Sequence, residues 1–154
     1  MVGIFMTKFY LIICISLIGK VYGQVSVIEP LSFGTIVVVK NAPDTSVTLS
    51  PNGSITSKNI HIMQVGQPAE LLFEGLAPRI QITVNDFASP TQFRRVNGGN
   101  EFTLSNLTFL PATVTTNAYG MATVKIGGQL TTSGNGLPYL DGSYSAIVEV
   151  TIDY

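Results

Sequence analysis

In 154 residues the chain carries only 8 Lys and Arg against 9 Asp and Glu, with no basic stripe, which excludes a nucleic-acid backbone as partner. One cysteine and one histidine exclude a disulfide framework and leave a zinc site short of ligands.

The first residues read as a leader rather than as fold. Lys8 precedes an apolar run from Phe9 to Ile18, followed by Gly19 to Gly23. A charged start, an apolar middle and a small residue at the cut make a secretory signal peptide. Val21 and Gly23 fill the two small-residue positions, so residues 1–23 are expected to be removed, leaving Gln24 first. Met1 and Met6 both fit as the start, since "MVGIF" adds apolar bulk where a signal wants charge. Lys20 interrupts the run well before the roughly 20 apolar residues that a membrane span needs. No membrane association is therefore expected after cleavage. Cys14, preceded by the bulky Ile13, does not suit lipidation and leaves with the leader. Export permits disulfides, but residues 24–154 have none to form and must fold as one domain around an ordinary core. Nine acids then face six bases, a net charge of −3.

From Gln24 onward no stretch holds a 3.6 period; short period-2 runs bounded by Gly, Pro, Asn and Ser predict an all-β chain. "QVSVIEPLSFGTIVVV" is uniformly apolar and is expected in the middle of a sheet. "AELLF" places Ala69, Leu71 and Phe73 on one face and Glu70 and Glu74 on the other. "RIQITVN" turns Ile80, Ile82 and Val84 inward and Arg79, Gln81, Thr83 and Asn85 outward. In "EFTLSNLTFLP" the pairs Phe102/Leu104 and Leu107/Phe109 sit on opposite parities. A one-residue slip would expose the second pair, so a β-bulge is expected near Ser105-Asn106. "MATVKIGG" buries Ala122, Val124 and Ile126, leaving Thr123 and Lys125 outside. "SPNGS", "EGLAP", "NGGNE" and "SGNGLP" supply turns. "DGSYSAIVEVTIDY" puts Tyr144, Ala146, Val148, Val150, Ile152 and Tyr154 on one parity and predicts one long closing strand. About eight short strands in this pattern predict a sandwich of two antiparallel sheets.

Chemistry is thinly represented. His61 in "NIHIMQ" reads as an outward strand residue between Ile60 and Ile62. Glu70 and Glu74 share a strand face but stand well apart, and no Gly-x-Ser-x-Gly nucleophile elbow occurs. The glycines of "GGQLTTSGNG" lack the following helix and Lys-Ser/Thr of a phosphate loop. Asp44, Asp86 and Asp141 fall in expected loops without calcium-loop spacing. Arg94-Arg95 reads as a solvated loop, and the sequons at Asn52 and Asn106 as turn and bulge residues. No catalytic residue, metal site or cofactor is predicted.

"PLSFGTIVV", "VTLSPNGS", "AELLFEGL" into "RIQITV", "FTLSNLTF", "GMATVKIGGQLTTS" and "GSYSAIVEVTIDY" follow one another in a characteristic order. Phe33-Gly34, the Val124 to Leu130 segment with Gly127-Gly128, and Gly142-x-Tyr144 stand out. In these respects the chain resembles the bacterial secreted family called domain of unknown function 4402, itself similar to spore-coat-protein-U-like and fimbrial subunits. The resemblance implies an immunoglobulin-like, pilin-like antiparallel β-sandwich. It further implies a closing strand that engages an assembly chaperone or other envelope or fimbrial subunits by β-augmentation. Two departures are plain: the cysteine pair frequent in those relatives is missing, and only Gln24 to Pro30 precedes "LSFG", little for a donor strand.

The expected function is that of an exported, non-enzymatic envelope protein, periplasmic or at the cell surface. It would act as a surface or fimbria-like structural component associating through strand edges. Tyr144, Val148, Val150, Ile152 and Tyr154 are the candidate partner-binding residues. The alternative is a self-contained monomeric binding module for a carbohydrate or host-surface ligand. Its candidate loops run from Asn97 to Asn100 and from Ser133 to Leu140, with Asn97, Asn100, Asn135 and Tyr139 available, the tyrosine for stacking.

Overall fold

The strongest alternations become the centre of the molecule. In the computed structural model, which describes residues 23–87 and 89–154, β11 (Ala122–Thr131) is the axis of the larger sheet. Its first half, Ala122 to Ile126, pairs with β6 (Ala69–Glu74), and its second half, Gly128 to Thr131, pairs with β3 (Ser46–Leu49). Along the other edge of β11 runs β9 (Phe102–Leu110). The large sheet is completed by β1 (Gln24–Glu29) beyond β6, and by β8 (Thr91–Arg95) and β12 (Tyr144–Ser145) beyond β9. The hairpin partner β4 (Ile55–Lys58) lies beside β3.

Two smaller sheets complete the fold. One has the order β10 (Thr113–Thr115), β7 (Gln81–Asp86), β13 (Val150–Asp153). The other is a ribbon of β2 (Ser32–Val38) with β5 (Ile60–Gln67). Every pairing is antiparallel, and the architecture is an all-β sandwich.

The core forms where the inward parities meet. Leu71 and Phe73 of β6, Val124 and Ile126 of β11, Val47 and Leu49 of β3, and Leu104 of β9 are buried together with Ile82 and Val84 of β7. Ala69, Ala122 and Phe102 are buried as their alternations require, while Thr123 and Lys125 are exposed. The change of partner along β11 falls at Gly127, where a Cβ would lie against the Leu49 carbonyl oxygen and 2.8 Å from the Pro51 nitrogen. A residue with a side chain could not let β3 approach there.

The expected bulge is present. Thr108 pairs with Gly127 but Ser105 with Gln129, so Asn106 and Leu107 share one partner position, with Asn106 at φ 52°. Phe102 and Leu104 are buried, and Leu107 and Phe109 are half-buried against the same core.

Six expectations need correction. The chain has thirteen strands among the described residues, many of only two to four residues, rather than about eight. The first apolar segment does not run through the middle of a sheet: Pro30 and Leu31 divide it into β1, an edge strand on β6, and β2, paired only with β5. Continuous apolarity there serves two exposed faces, because Val27, Ile28 and Val37 reach solvent. The closing strand is not continuous either. Residues 146–149 interrupt it, so β12 ends in the large sheet and β13 pairs with β7 in the small one. Arg94 and Arg95 lie in β8, and Asp86 is the last residue of β7, so none of the three is in a loop. Arg79 is a turn residue at φ 64°, and β7 begins only at Gln81. The signal-peptide assignment, residues 1–22 in particular, lies outside the described residues.

Candidate strand-docking site

Breaking the closing segment opens a slot. Residues 140–146 run along one side of it and β2 along the other, enclosing about 680 Å³. Its floor is Phe33, Phe93, Phe102, Leu130, Tyr144 and Val148. The rings interlock edge to face: Phe33 and Phe93 have centroids 6.4 Å apart at 84°, and Phe102 and Tyr144 5.0 Å apart at 80°. Such contacts hold the floor in one shape. Among its described lining residues Asp141 is the single Asp, Glu, Lys or Arg.

The two rims are strand edges. β2 pairs with β5 on one side, and β12 pairs with β8 on one side; among the described residues neither has a strand partner facing the slot. An unpaired edge offers a row of N–H and C=O groups to an incoming strand. β13 is likewise an edge, since the order of the small sheet places it outermost.

The rim beside Tyr144 is built by local hydrogen bonds. The Tyr144 hydroxyl donates to Leu140 O at 2.9 Å, and Arg95, its ladder partner on β8, donates to Asp141 O at 3.0 Å and Gly98 O at 2.9 Å. Burial pushes the Tyr144 phenol above its ordinary range, against the opposite pull of the Arg95 charge and the Leu140 hydrogen bond. Arg94 is used separately, in an ion pair with Glu101 at 2.9 Å.

The five closing-strand candidates are therefore divided. Tyr144 and Val148 line the slot, whereas Val150 and Ile152 belong to β13 and pack towards the core. Tyr154 is exposed at the chain end, beside Ile152 and Leu76 in a shallow crevice.

The loop candidates are brought together but are occupied with each other. Asn135 Nδ2 donates to Asn100 Oδ1 at 2.9 Å, and Asn100 Nδ2 lies 3.0 Å from Leu137 O. The Tyr139 hydroxyl donates to Glu101 O at 2.7 Å and accepts from Ser133 N at 2.9 Å, while its ring packs 4.2 Å from that of Phe102. The tyrosine expected to be available for stacking is thus a half-buried brace of the slot floor. Asn97 stands apart, exposed in the turn.

Sequence reading missed two parts of this region. Asn41 is the buried hub of the loop: its Nδ2 lies within 3.0 Å of Ser133 Oγ, Asn135 Oδ1 and Leu137 O, and its Oδ1 accepts from Gly134 N at 2.9 Å. All four partners are more than ninety residues away in sequence, so no local pattern reports them. The β2 rim was missed because apolarity so often means burial. The unusual "FG" inside a β-branched run was the available signal, since Gly34 sits at φ 77° with the β5 backbone pressed against it.

Elsewhere the chemistry is spent on structure. His61 is exposed on β5, Lys125 pairs with Glu70 at 3.8 Å, and no group of three His, Cys, Asp or Glu able to hold a metal occurs among the described residues. Asn52 Oδ1 accepts from the backbone and hydroxyl of Ser54, closing a turn, and Asn106 Nδ2 donates to Gln129 Oε1 at 2.7 Å across the bulge.

Over residues 24–154 the chain matches the family described as Domain of unknown function (DUF4402). It belongs to that family. No curated protein and no solved structure matches it. The DUF4402 match takes in both rims of the slot, its aromatic floor and β13. The Phe33-Gly34, Gly127-Gly128 and Gly142-x-Tyr144 elements of this DUF4402 chain have distinct physical duties: a slot wall, the partner change on β11, and the turn into β12.

Proposed function

We propose that this DUF4402 protein is an exported, non-enzymatic component of the bacterial envelope, surface-bound or fimbria-like, that associates with neighbouring subunits or an assembly chaperone through its strand edges. The observation that carries this reading is the slot between β2 and residues 140–146, with two open edges above an apolar aromatic floor. Backbone hydrogen bonds along such edges give affinity, and pockets beneath alternate side chains give selectivity. The similarity to spore-coat-protein-U-like and fimbrial subunits, read from the ordered sequence elements, points the same way.

Filling the slot from its two sides tests the reading. Thr35→Trp and Ala146→Trp place bulk on opposite slot walls. The wild-type protein should appear in high-mass material released from the cell surface by shearing, and both variants should leave that material while melting within a few degrees of wild type. A wild type found only as free monomer, or filled variants that assemble as well as wild type, would refute the proposal.

A further inference from the structure

The ribbon of β2 and β5 has a second face, turned away from the core, that reaches the slot rim at Val37. Ile36, Val38, Ile60 and Ile62 pack inward, which leaves Val37, His61, Met63 and Val65 outward, with Val39 just past the end of β2. Their apolar side chains are well exposed: Val37 43%, Val39 69%, Met63 71% and Val65 59%. Val37 stands directly opposite His61, and Val65 opposite Gly34, so His61, Met63 and Val65 follow one another at alternate positions of β5 with Val37 beside the first of them. No Asp, Glu, Lys or Arg lies between residues 30 and 39 or between 59 and 69. An exposed apolar face of a few hundred Å² matches the largest patch of a typical small domain, which is often a contact surface.

Charge sits only at the two ends of the ribbon. Val38 pairs with Ile60 at one end, and two residues beyond each lie Lys40 and Lys58, both exposed and neither in an ion pair within the described chain. At the other end Ser32 pairs with Gln67, whose Nε2 donates to Glu29 Oε2 at 2.6 Å. Eight residues of β5 span about 26 Å, several screening lengths at physiological salt, so the two ends scarcely interact within one molecule.

We infer that this face is a self-association surface, on which a second copy of the chain packs its own β2–β5 ribbon about a two-fold axis. The antiparallel arrangement covers Met63, Val37 and Val65 with their equivalents and brings Lys40 and Lys58 of each copy to Glu29 of the other. An isologous contact of this kind is self-complementary and closes as a dimer. A head-to-head arrangement would instead oppose lysine to lysine. The surface meets the slot at Val37, while Met63 and Val65 of β5 lie outside the slot lining.

The apolar area is on the order of a few hundred Å² per copy, less than half of what a stable pair buries. The dimer is accordingly weak. Sedimentation of the exported protein should show reversible monomer–dimer exchange within the range of about 10 µM to 1 mM. Met63→Glu should shift that equilibrium at least tenfold towards monomer without changing the melting temperature. Lys40→Glu with Lys58→Glu should also weaken it, and adding Glu29→Lys to that pair should restore association. A protein monomeric across the whole range, or a Met63→Glu variant that dimerises like wild type, overturns the surface. Failure of the charge reversal to be rescued overturns the two-fold arrangement. Dimerisation abolished by Thr35→Trp but untouched by Met63→Glu would move the contact to the slot and likewise overturn the inference.

Discussion

Along one edge of β11 two strands meet end to end, and the space at their junction is set by Gly127. Its absent side chain is the room that the Leu49 carbonyl and the Pro51 nitrogen occupy, and those are backbone atoms that cannot rotate away. Gly127→Ala should therefore lower stability by about 2–4 kcal/mol, as other clashes in a packed core do. Gly53 offers the control. It has φ +87° in the β3–β4 turn, but a Cβ there would meet nothing within 4 Å, so Gly53→Ala should cost only the left-handed backbone strain, about 1 kcal/mol. Urea titration of the two variants separates lost space from lost conformational freedom. Tyr144 carries a second prediction at this scale. Burial, the largest influence, raises its phenol above the value it has when unfolded. The neutral form is thus favoured by folding, and its contribution is complete below the unfolded pKa of about 10 and lost as pH rises through the higher folded value. Thermal melts from pH 8 upward should show an alkaline loss of stability that Tyr144→Phe reduces; an unchanged alkaline profile in that variant would contradict the assignment.

At the scale of strands, what was legible was whatever alternation alone decides. Ala122, Val124 and Ile126 are buried because a strand inside a sandwich must hide one face, and the same rule holds for Ala69, Leu71 and Phe73. The bulge was legible for a sharper reason: Leu104 and Leu107 cannot both face the core without an extra residue between them. Asn106 supplies it at φ 52°, a conformation that costs asparagine little and β-branched residues more. Asn106→Gly should be tolerated, whereas Asn106→Val should cost about 1–2 kcal/mol, measured by chemical denaturation. The place of β2 was not legible because an apolar run has no parity signal; "TIVVV" reads the same whether both faces are buried or one awaits a partner. The division of the closing strand was hidden for the opposite reason. Tyr144, Val148 and Val150 keep one parity across the gap at 146–149, so the sequence alternates smoothly while its hydrogen-bond partners change from β8 to β7. Pairing depends on distant residues, and the slot, which exists because of that change of partner, was not visible in any local pattern.

For the whole molecule, the closing segment is the tie between the sheets. It leaves the large sheet at β12, passes Val148 through the core and enters the small sheet as β13, where Val150 is opposite Asp86 and Ile152 opposite Val84. Each buried apolar side chain contributes about 1.5–3 kcal/mol relative to exposure, and a domain of this size has only about 5–15 kcal/mol in total. Truncation after Tyr144 removes Val148, Val150 and Ile152 together and strips β7 of its neighbour on one side, so the shortened chain should not fold. A point substitution asks the same question without removing backbone. Val150→Asp places a charge among apolar side chains with no basic group among the described core residues, so it adds an uncompensated ionic group to the loss of burial. Thr151, one residue on, lies on the opposite face across from Asn85 and is half-exposed, so Thr151→Asp meets water and costs about 0.5 kcal/mol, raised slightly by nearby Asp153. Thermal melting should therefore show an unfolded or strongly destabilised Val150→Asp beside a nearly wild-type Thr151→Asp. Two variants melting alike would mean that β13 does not face the core through Val150, and the wall of the sandwich that holds the slot in shape would lose its physical basis.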